Sequence, residues 1–301
     1  MKILVTGANG QLGQESVLAF TGQGHDVTGI DREELDLAGS GDIAVAIAAY
    51  RADWIINCAA YTQVDRAEEE TTLAFSVNRD AAKAIAQGAK QSNSRLLHVS
   101  TDFIFGGRQA TPYREQDQGD ALNVYGASKW EGEQAVQTVL PQAVILRTAW
   151  VYGSHGNNFV KTMLRLMAER DEIRVVDDQI GTPTWTGDIV KAMQGLIEND
   201  AVGIYNFTNE GIASWYDLAF EVMSIAPALG HPVQVKRLCP IPSSEWHSAA
   251  QRPAYSVLSK EKIRALLAYD IPHWRTSLNT MLNQLTTPSP SGRGLGRGNE
   301  S

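Results

Sequence analysis

Residues 1–13 read MKILVTGANGQLG, and the fold turns on how that stretch is parsed. Lys2–Thr6 carries an unbroken apolar run, the pattern of a strand covered on both faces as in a parallel sheet. Gly7, Gly10 and Gly13 follow at G-x-x-G-x-x-G spacing, and a helical pattern then runs over Leu12–Thr21. The spacing differs from the G-x-G-x-x-G of classical dehydrogenases, but the physics is similar. Small residues permit a sharp turn, let backbone approach a pyrophosphate, and leave that phosphate at a helix N-terminus. Tight strand–helix turns also use glycine for purely steric reasons, so support is needed further along the chain. Asp31 supplies it, closing a second strand (Val27–Ile30) 18 residues past Gly13. A carboxylate there can accept hydrogen bonds from the adenosine ribose hydroxyls, which favours NAD(H). Arg32 follows at once and could pair with a 2′-phosphate, so NADP(H) stays open.

Outward from that turn, strands and helices alternate. Trp54–Cys58, Arg95–Ser100 and Ala143–Thr148 read as strands; Ile43–Tyr50, Leu73–Ala89 and Tyr125–Val139 read as helices, the first capped by Ser40 or Asp42. This rhythm specifies an α/β protein, a doubly wound Rossmann-type parallel sheet. The rhythm loosens after Tyr152. Helices are expected over Phe159–Ala168, Ile189–Ile197, Trp215–Ser224 and Ile263–Leu267, with strands at Arg174–Val176 and Gly203–Thr208 and Pro-rich connections near Pro240, Pro242 and Pro253. The expected division is a dinucleotide-binding domain over 1–152, a smaller substrate-binding lobe over 153–285 with some return to the sheet, and a disordered tail over 286–301. That tail is nearly all Gly, Ser, Pro, Thr and Arg, too polar to offset its ordering entropy.

Composition narrows the function classes. The 301 residues hold 26 Lys+Arg against 34 Asp+Glu, a net charge of −8, which argues against a nucleic-acid partner. No apolar run approaches the ~20 residues that span a bilayer, and MKILVTGANG lacks an apolar stretch ending in a cleavage site. Two cysteines, Cys58 and Cys239, make neither a disulfide framework nor a zinc site, and the six histidines show no close metal spacing. A cytoplasmic protein with no membrane partner and no catalytic metal is expected.

Tyr125 and Lys129 stand four apart at the start of a helix, so both project from one face. A phenol is a poor acid–base catalyst near neutral pH, and a neighbouring ammonium is expected to lower its pKa. Thr101, at the end of the fourth strand in HVSTDF, lies at the carboxyl edge of the sheet, where ligands bind in such folds. Tyr-x-x-x-Lys also arises by chance on helix faces that carry one exposed lysine; the glycine turn upstream is what favours catalysis. Asn157, Asn158 and Phe159 either contact a substrate nucleotide or simply start a helix, and Arg252 is placed to pair with a pyrophosphate. Lys161 reads as a solvated helix face, Glu68, Glu69 and Glu70 as an acidic helix start.

Together GANGQLG (7–13), STDFIF (100–105), NVYGASKWEGE (123–133) and RTAWVYG (147–153) resemble the extended short-chain dehydrogenase/reductases, and within them the reductases of nucleotide-linked 4-keto-deoxysugars. GNNFVKTMLRL (156–166), DDQIGTPTWTGDIV (177–190) and RPAYSVL (252–258) are of the same kind, and the likeness runs from Met1 to about Leu285. The resemblance implies catalytic roles for Tyr125, Lys129 and Thr101. It implies cofactor contacts at Gly10, Gln11, Leu12, Asp31, Asp36, Leu37, Ala60, Tyr61, Thr62 and Val99, beside Gly7, Gly13 and Arg32, with Tyr125 and Lys129 also touching the cofactor. Substrate contacts fall on Thr101, Asp102 and Trp150, the last offering an apolar face to a sugar or else packing in the core. The implied chemistry is hydride transfer from NADPH or NADH to the C4 ketone of dTDP-4-dehydro-β-L-rhamnose, with protonation by Tyr125. Lys129 lowers the tyrosine pKa, Thr101 orients the carbonyl and Asp102 adjusts the proton balance. Another nucleotide-linked 4-keto-deoxysugar is the alternative substrate, and a non-catalytic regulatory subunit the alternative class. The resemblance alone raises a Mg2+ dependence and a homodimer; no set of residues in the sequence carries either.

Overall fold

The computed structural model describes residues 1–39 and 41–286, and in it the apolar runs become strands. These are β1 (Lys2–Thr6), β2 (Asp26–Ile30), β3 (Trp54–Asn57), β4 (Arg95–Thr101) and β5 (Val144–Thr148). A sixth strand, Gly203–Asn206, pairs with β5, and every pairing in the sheet is parallel. The order across the sheet is Gly203–Asn206, β5, β4, β3, β1, β2. From β1 the chain builds outward to β2 on one side, then crosses to β3 on the other. The carboxyl ends of β1 and β3 therefore flank the point where ligands bind in open α/β sheets.

Side chains alternate across the sheet and bury both faces. Ile3, Val5, Trp54, Ile56, Leu97 and Leu146 meet the helices α1 (Gln11–Gly22) and Thr186–Glu198 on one face. Leu4, Ile55, Leu96 and Ile145 meet α2 (Ile43–Ala49) and the helices Ala82–Ser92 and Val124–Val139 on the other. A separate core lies in the latter half. It joins Val160 and Met163 of Phe159–Glu169, Leu218 and Val222 of Trp215–Ile225, and Trp274 and Leu278 of Trp274–Thr286. Among the described residues no helix is long and apolar enough to cross a membrane.

Several expectations need correcting. The helix expected over Leu73–Ala89 is three pieces in series: Thr71–Phe75, a π-helical Ser76–Ala81, and Ala82–Ser92. The helix placed at Ile263–Leu267 is the short Glu261–Arg264, and Arg237–Ile241, read as a connection because of Pro240, is a strand beside Glu172–Val176. The third strand ends at Asn57, one residue before Cys58. Trp274–Thr286 is a helix the sequence reading did not anticipate, so Thr286 closes a helix instead of opening a tail. The rest of the expected tail, 287–301, lies outside the described residues, as does Ser40; Asp42 caps α2, its carboxylate accepting from the Val45 N–H at 3.1 Å.

Candidate active site

A cleft of about 1080 Å³ runs along the carboxyl ends of β1, β3 and β4, and every site residue singled out from the sequence lines it except Asn158. Its floor is the glycine turn. Gly7 has φ +68°, and a Cβ there would sit 2.7 Å from the Ala59 backbone just past β3. A Cβ on Gly13 would strike the Gly7 carbonyl, so strand and helix approach as closely as only glycines allow. Gly10 is the N-cap of α1 and offers no side-chain hydrogen bond to the first turn, leaving those N–H groups for an anion. The turn therefore fits a dinucleotide phosphate. Asp31 is anchored to the same loop: its Oδ2 accepts from the Asn9 N–H at 2.8 Å and its Oδ1 from the Arg32 N–H at 2.7 Å. The Arg32 side chain is 82% exposed and lies 3.7 Å from Asp36.

Ala60, Tyr61 and Thr62 form the next wall, and a residue the sequence reading missed holds it there. Buried Asn78, in the π-helical segment, accepts from the Tyr61 N–H at 2.8 Å and donates to the Tyr61 carbonyl at 3.1 Å, as a peptide group would. Its Nδ2 also donates to Ser128 Oγ at 2.9 Å, tying the wall to the helix that bears Tyr125 and Lys129. Glu68 and Glu70 do more than begin a helix. Glu68 accepts from the Val124 N–H at 2.9 Å, and Glu70 from the Tyr61 hydroxyl at 2.7 Å. Asn123 caps the same helix, accepting from the Gly126 N–H at 2.7 Å. Cys58 lines the cleft floor, its thiol pushed up to about 12 by burial.

At the end that bears Thr101, Tyr125 and Lys129, Lys129 Nζ donates to the Val99 carbonyl at 2.7 Å, and burial lowers the amine to about 8 against the opposing charge of Glu133. Beneath it, Thr6 donates to Asn57 at 2.7 Å and Asn57 Nδ2 meets His98 Nδ1 at 2.9 Å, lacing three strand tips together. Burial and the nearby Lys129 charge hold His98 neutral, well below its ordinary range. Thr101 accepts from the Phe103 N–H and donates to Asp102 Oδ1, each at 3.2 Å. Asp102 is 1% exposed, its Oδ2 accepts no well-formed hydrogen bond, and burial lifts its carboxyl to about 6 against the pull of the Ser256 and Thr101 hydroxyls. The expected acidification of Tyr125 by Lys129 is not found. Burial pushes the phenol up to about 12, the Thr101 hydroxyl draws it back in part, and Asp102 adds to the rise. The physical reason is that burial disfavours a phenolate while the Lys129 amine is directed at the Val99 carbonyl.

The far end is aromatic. Trp150 has φ +47°, a strained conformation for so large a residue, and its indole stacks on Trp215 with centroids 3.6 Å apart and planes at 4°. Gly181 lies against the same indole, where a Cβ would come within 2.5 Å of Cε2. Trp150 is thus flanked by Trp215 and Gly181 and lines the cleft together with Trp215, whose position inside a helical pattern gave no hint of the site. Phe159 packs against Trp215 at 4.7 Å. Arg252 reaches the cleft, but its guanidinium is gripped by Asp65, with Nη2–Oδ2 at 2.6 Å and Nη1–Oδ1 at 3.1 Å. Burial works upward on Asp65, yet the Ser248 and Arg252 hydrogen bonds hold its carboxyl at about 2. Asn158 is off the cleft wall because it is a helix cap, accepting from the Lys161 N–H at 3.0 Å. Lys161 is not simply solvated: its amine donates to the Ser154 and Gly156 carbonyls at 2.6 and 2.9 Å. Among the described residues no three His, Cys, Asp or Glu side chains converge.

A six-stranded parallel sheet with this glycine turn and a Tyr–Lys helix at one cleft is the architecture of the extended short-chain dehydrogenase/reductases. The family described as RmlD substrate binding domain matches residues 1–287, and the chain belongs to that family. It is 40% identical over 287 residues to a dTDP-4-dehydrorhamnose reductase of Aggregatibacter actinomycetemcomitans, covering 93% of this chain and 98% of that one. It is 38% identical to a dTDP-4-keto-6-deoxy-D-glucose reductase of Streptomyces niveus, covering 91% and 94%. The dTDP-4-dehydrorhamnose reductase of Bacillus anthracis, solved in complex with NADP, superposes with a TM-score of 0.89 at 36% identity, covering 94% and 99%.

Proposed function

We propose that this chain reduces the C4 ketone of dTDP-4-dehydro-β-L-rhamnose to give dTDP-β-L-rhamnose, using NADPH or NADH, in the cytoplasm. The observation that carries the reading is the convergence of Thr101, Tyr125 and Lys129 with the glycine turn on one cleft. The near full-length likeness to the Aggregatibacter reductase supports the substrate, and the NADP held by the Bacillus anthracis protein supports the cofactor. The sheet-bearing part, 1–152 with the return through Gly203–Asn206, would hold the dinucleotide and the 153–285 lobe the sugar nucleotide.

A nicotinamide dinucleotide held by the glycine turn and Asp31 would supply hydride chemistry at C4; the rest is done by side chains. Tyr125, raised to about 12, keeps its proton at neutral pH and releases it to the carbonyl oxygen as negative charge gathers there, completing the alcohol. With the ketone in place, Thr101 would turn its hydroxyl from Asp102 Oδ1 to that same oxygen and fix its direction. Lys129, cationic below about 8, stabilises the tyrosinate left behind, so its charge acts when the proton departs. The aromatic end formed by Trp215 and Phe159 receives the sugar's apolar face.

The similarity to the Streptomyces niveus protein favours a second reading, reduction of another dTDP-linked 4-keto-6-deoxysugar. Following loss of NADPH absorbance with each dTDP-ketosugar in turn separates the two: oxidation with the rhamnose precursor is expected, and turnover only with a different sugar would move the assignment there. Tyr125→Phe is expected to lower turnover ~10²- to 10⁴-fold with NADP+ affinity unchanged. Undiminished turnover in that variant would remove Tyr125 as the acid.

A further inference from the structure

Residues 153–158, GSHGNN, join the short strand Val151–Tyr152 to the helix Phe159–Glu169 and lean on the phosphate turn as they do so. Asn158 spends its Oδ1 on the helix cap and its Nδ2 on two further acceptors, the Gly153 carbonyl at 2.8 Å and Gln11 Oε1 at 3.0 Å. Gln11 is the first residue of α1 and lines the cleft beside Gly10. Gly156, at φ +61°, lies directly on Gln11, where a Cβ would stand 2.8 Å from Cγ. Lys161 closes the loop from behind through Ser154 and Gly156. Gly156 and Asn157 themselves line the cleft.

We infer that Asn158 is a positioning residue acting through Gln11, and that the 153–158 strap makes dinucleotide binding and sugar-nucleotide binding reinforce each other. The inference rests on the proposed reductase reading. The carboxyl-terminal half of the strap, Gly156 and Asn158, is fixed to the turn that receives the dinucleotide phosphate. The same Asn158 caps the helix whose first residue, Phe159, packs on Trp215 at the sugar end. A phosphate that orders Gln11 therefore orders the start of that helix, and the second ligand meets a lobe already set. Linkage makes the effect reciprocal.

The test is calorimetric titration of the full chain with NADP+, alone and with saturating dTDP, then with the order of ligands reversed. NADP+ is expected to bind about 5-fold tighter when dTDP is present, and dTDP by the same factor when NADP+ is present. Asn158→Ser keeps a capping oxygen but cannot reach Gln11. Gly156→Ala pushes the strap off Gln11 from the other side. Each variant should still bind either ligand alone, Gly156→Ala more weakly because that residue lines the cleft, while the coupling factor falls to about 1, with helix content by circular dichroism unchanged. A factor of 1 in the wild type, or a factor retained in both variants, would overturn the inference. Failure of the wild type to bind either ligand would instead strike the reductase reading beneath it.

Discussion

Asp102 pays for its place in stability. Its carboxyl is 1% exposed and raised from 3.8 to about 6. Between those pH values the folded chain binds more protons than the unfolded one, so stability falls as pH rises through that window. By pH 7 the full penalty is present, ~3 kcal/mol. Asp102→Asn removes the charge and should raise stability at pH 7 by ~2 kcal/mol in urea denaturation, with most of that gain gone at pH 4, where the folded-state carboxyl is protonated and the unfolded one about half so. A gain over the wild type no larger at pH 7 than at pH 4 would show that burial does not govern this group. Thr101 and Asp102 were legible in the sequence because they end a strand that places them at the sheet's carboxyl edge. Asn78 and Trp215 were not, because each reaches the site only through the apposition of elements far apart in the chain. The cap role of Asn158 could be read from an asparagine placed before a helix, but not that Gln11 stands within its reach.

At the scale of elements, the π-helical Ser76–Ala81 shapes the helix that bears Tyr125 and Lys129 from behind. The extra residue per turn carries no signature in an apolar pattern that reads as one continuous helix, so its presence was hidden in the sequence. Gly132 of Val124–Val139 packs on this segment, and a Cβ there would strike the Asn78 carbonyl. Helix propensity alone would favour Gly132→Ala by up to ~1 kcal/mol. The collision should reverse the sign and cost ~1–3 kcal/mol. Gly22, at the end of α1, is the control, since a Cβ there meets nothing within 4 Å. Gly22→Ala should be neutral or stabilising, and a thermal melt in which both variants behave alike would show that the contact with Asn78 is unimportant.

Across the whole molecule, the parallel sheet could be read from the sequence because its strands are apolar throughout and its turns are marked by glycine. The latter half was harder. Its core is assembled from helices spaced widely along the chain, and Trp274, Leu278, Met281 and Leu282 follow helical spacing but sit just ahead of a Gly- and Pro-rich end that dominates the composition. The return of Thr186–Glu198 and Gly203–Asn206 to the sheet binds the two halves, since residues of both pack with Ile3, Val5 and Leu146. The paired indoles also cross between halves. Trp150 follows the last of the five early strands, and Trp215 begins a helix of the other core. Held face to face among the seven tryptophans, the two indoles have coupled transitions, which near-ultraviolet circular dichroism should show as a signal that Trp215→Phe removes. Displacement of one half against the other should weaken that signal. The chain thereby carries its own optical gauge of movement, readable without a dye.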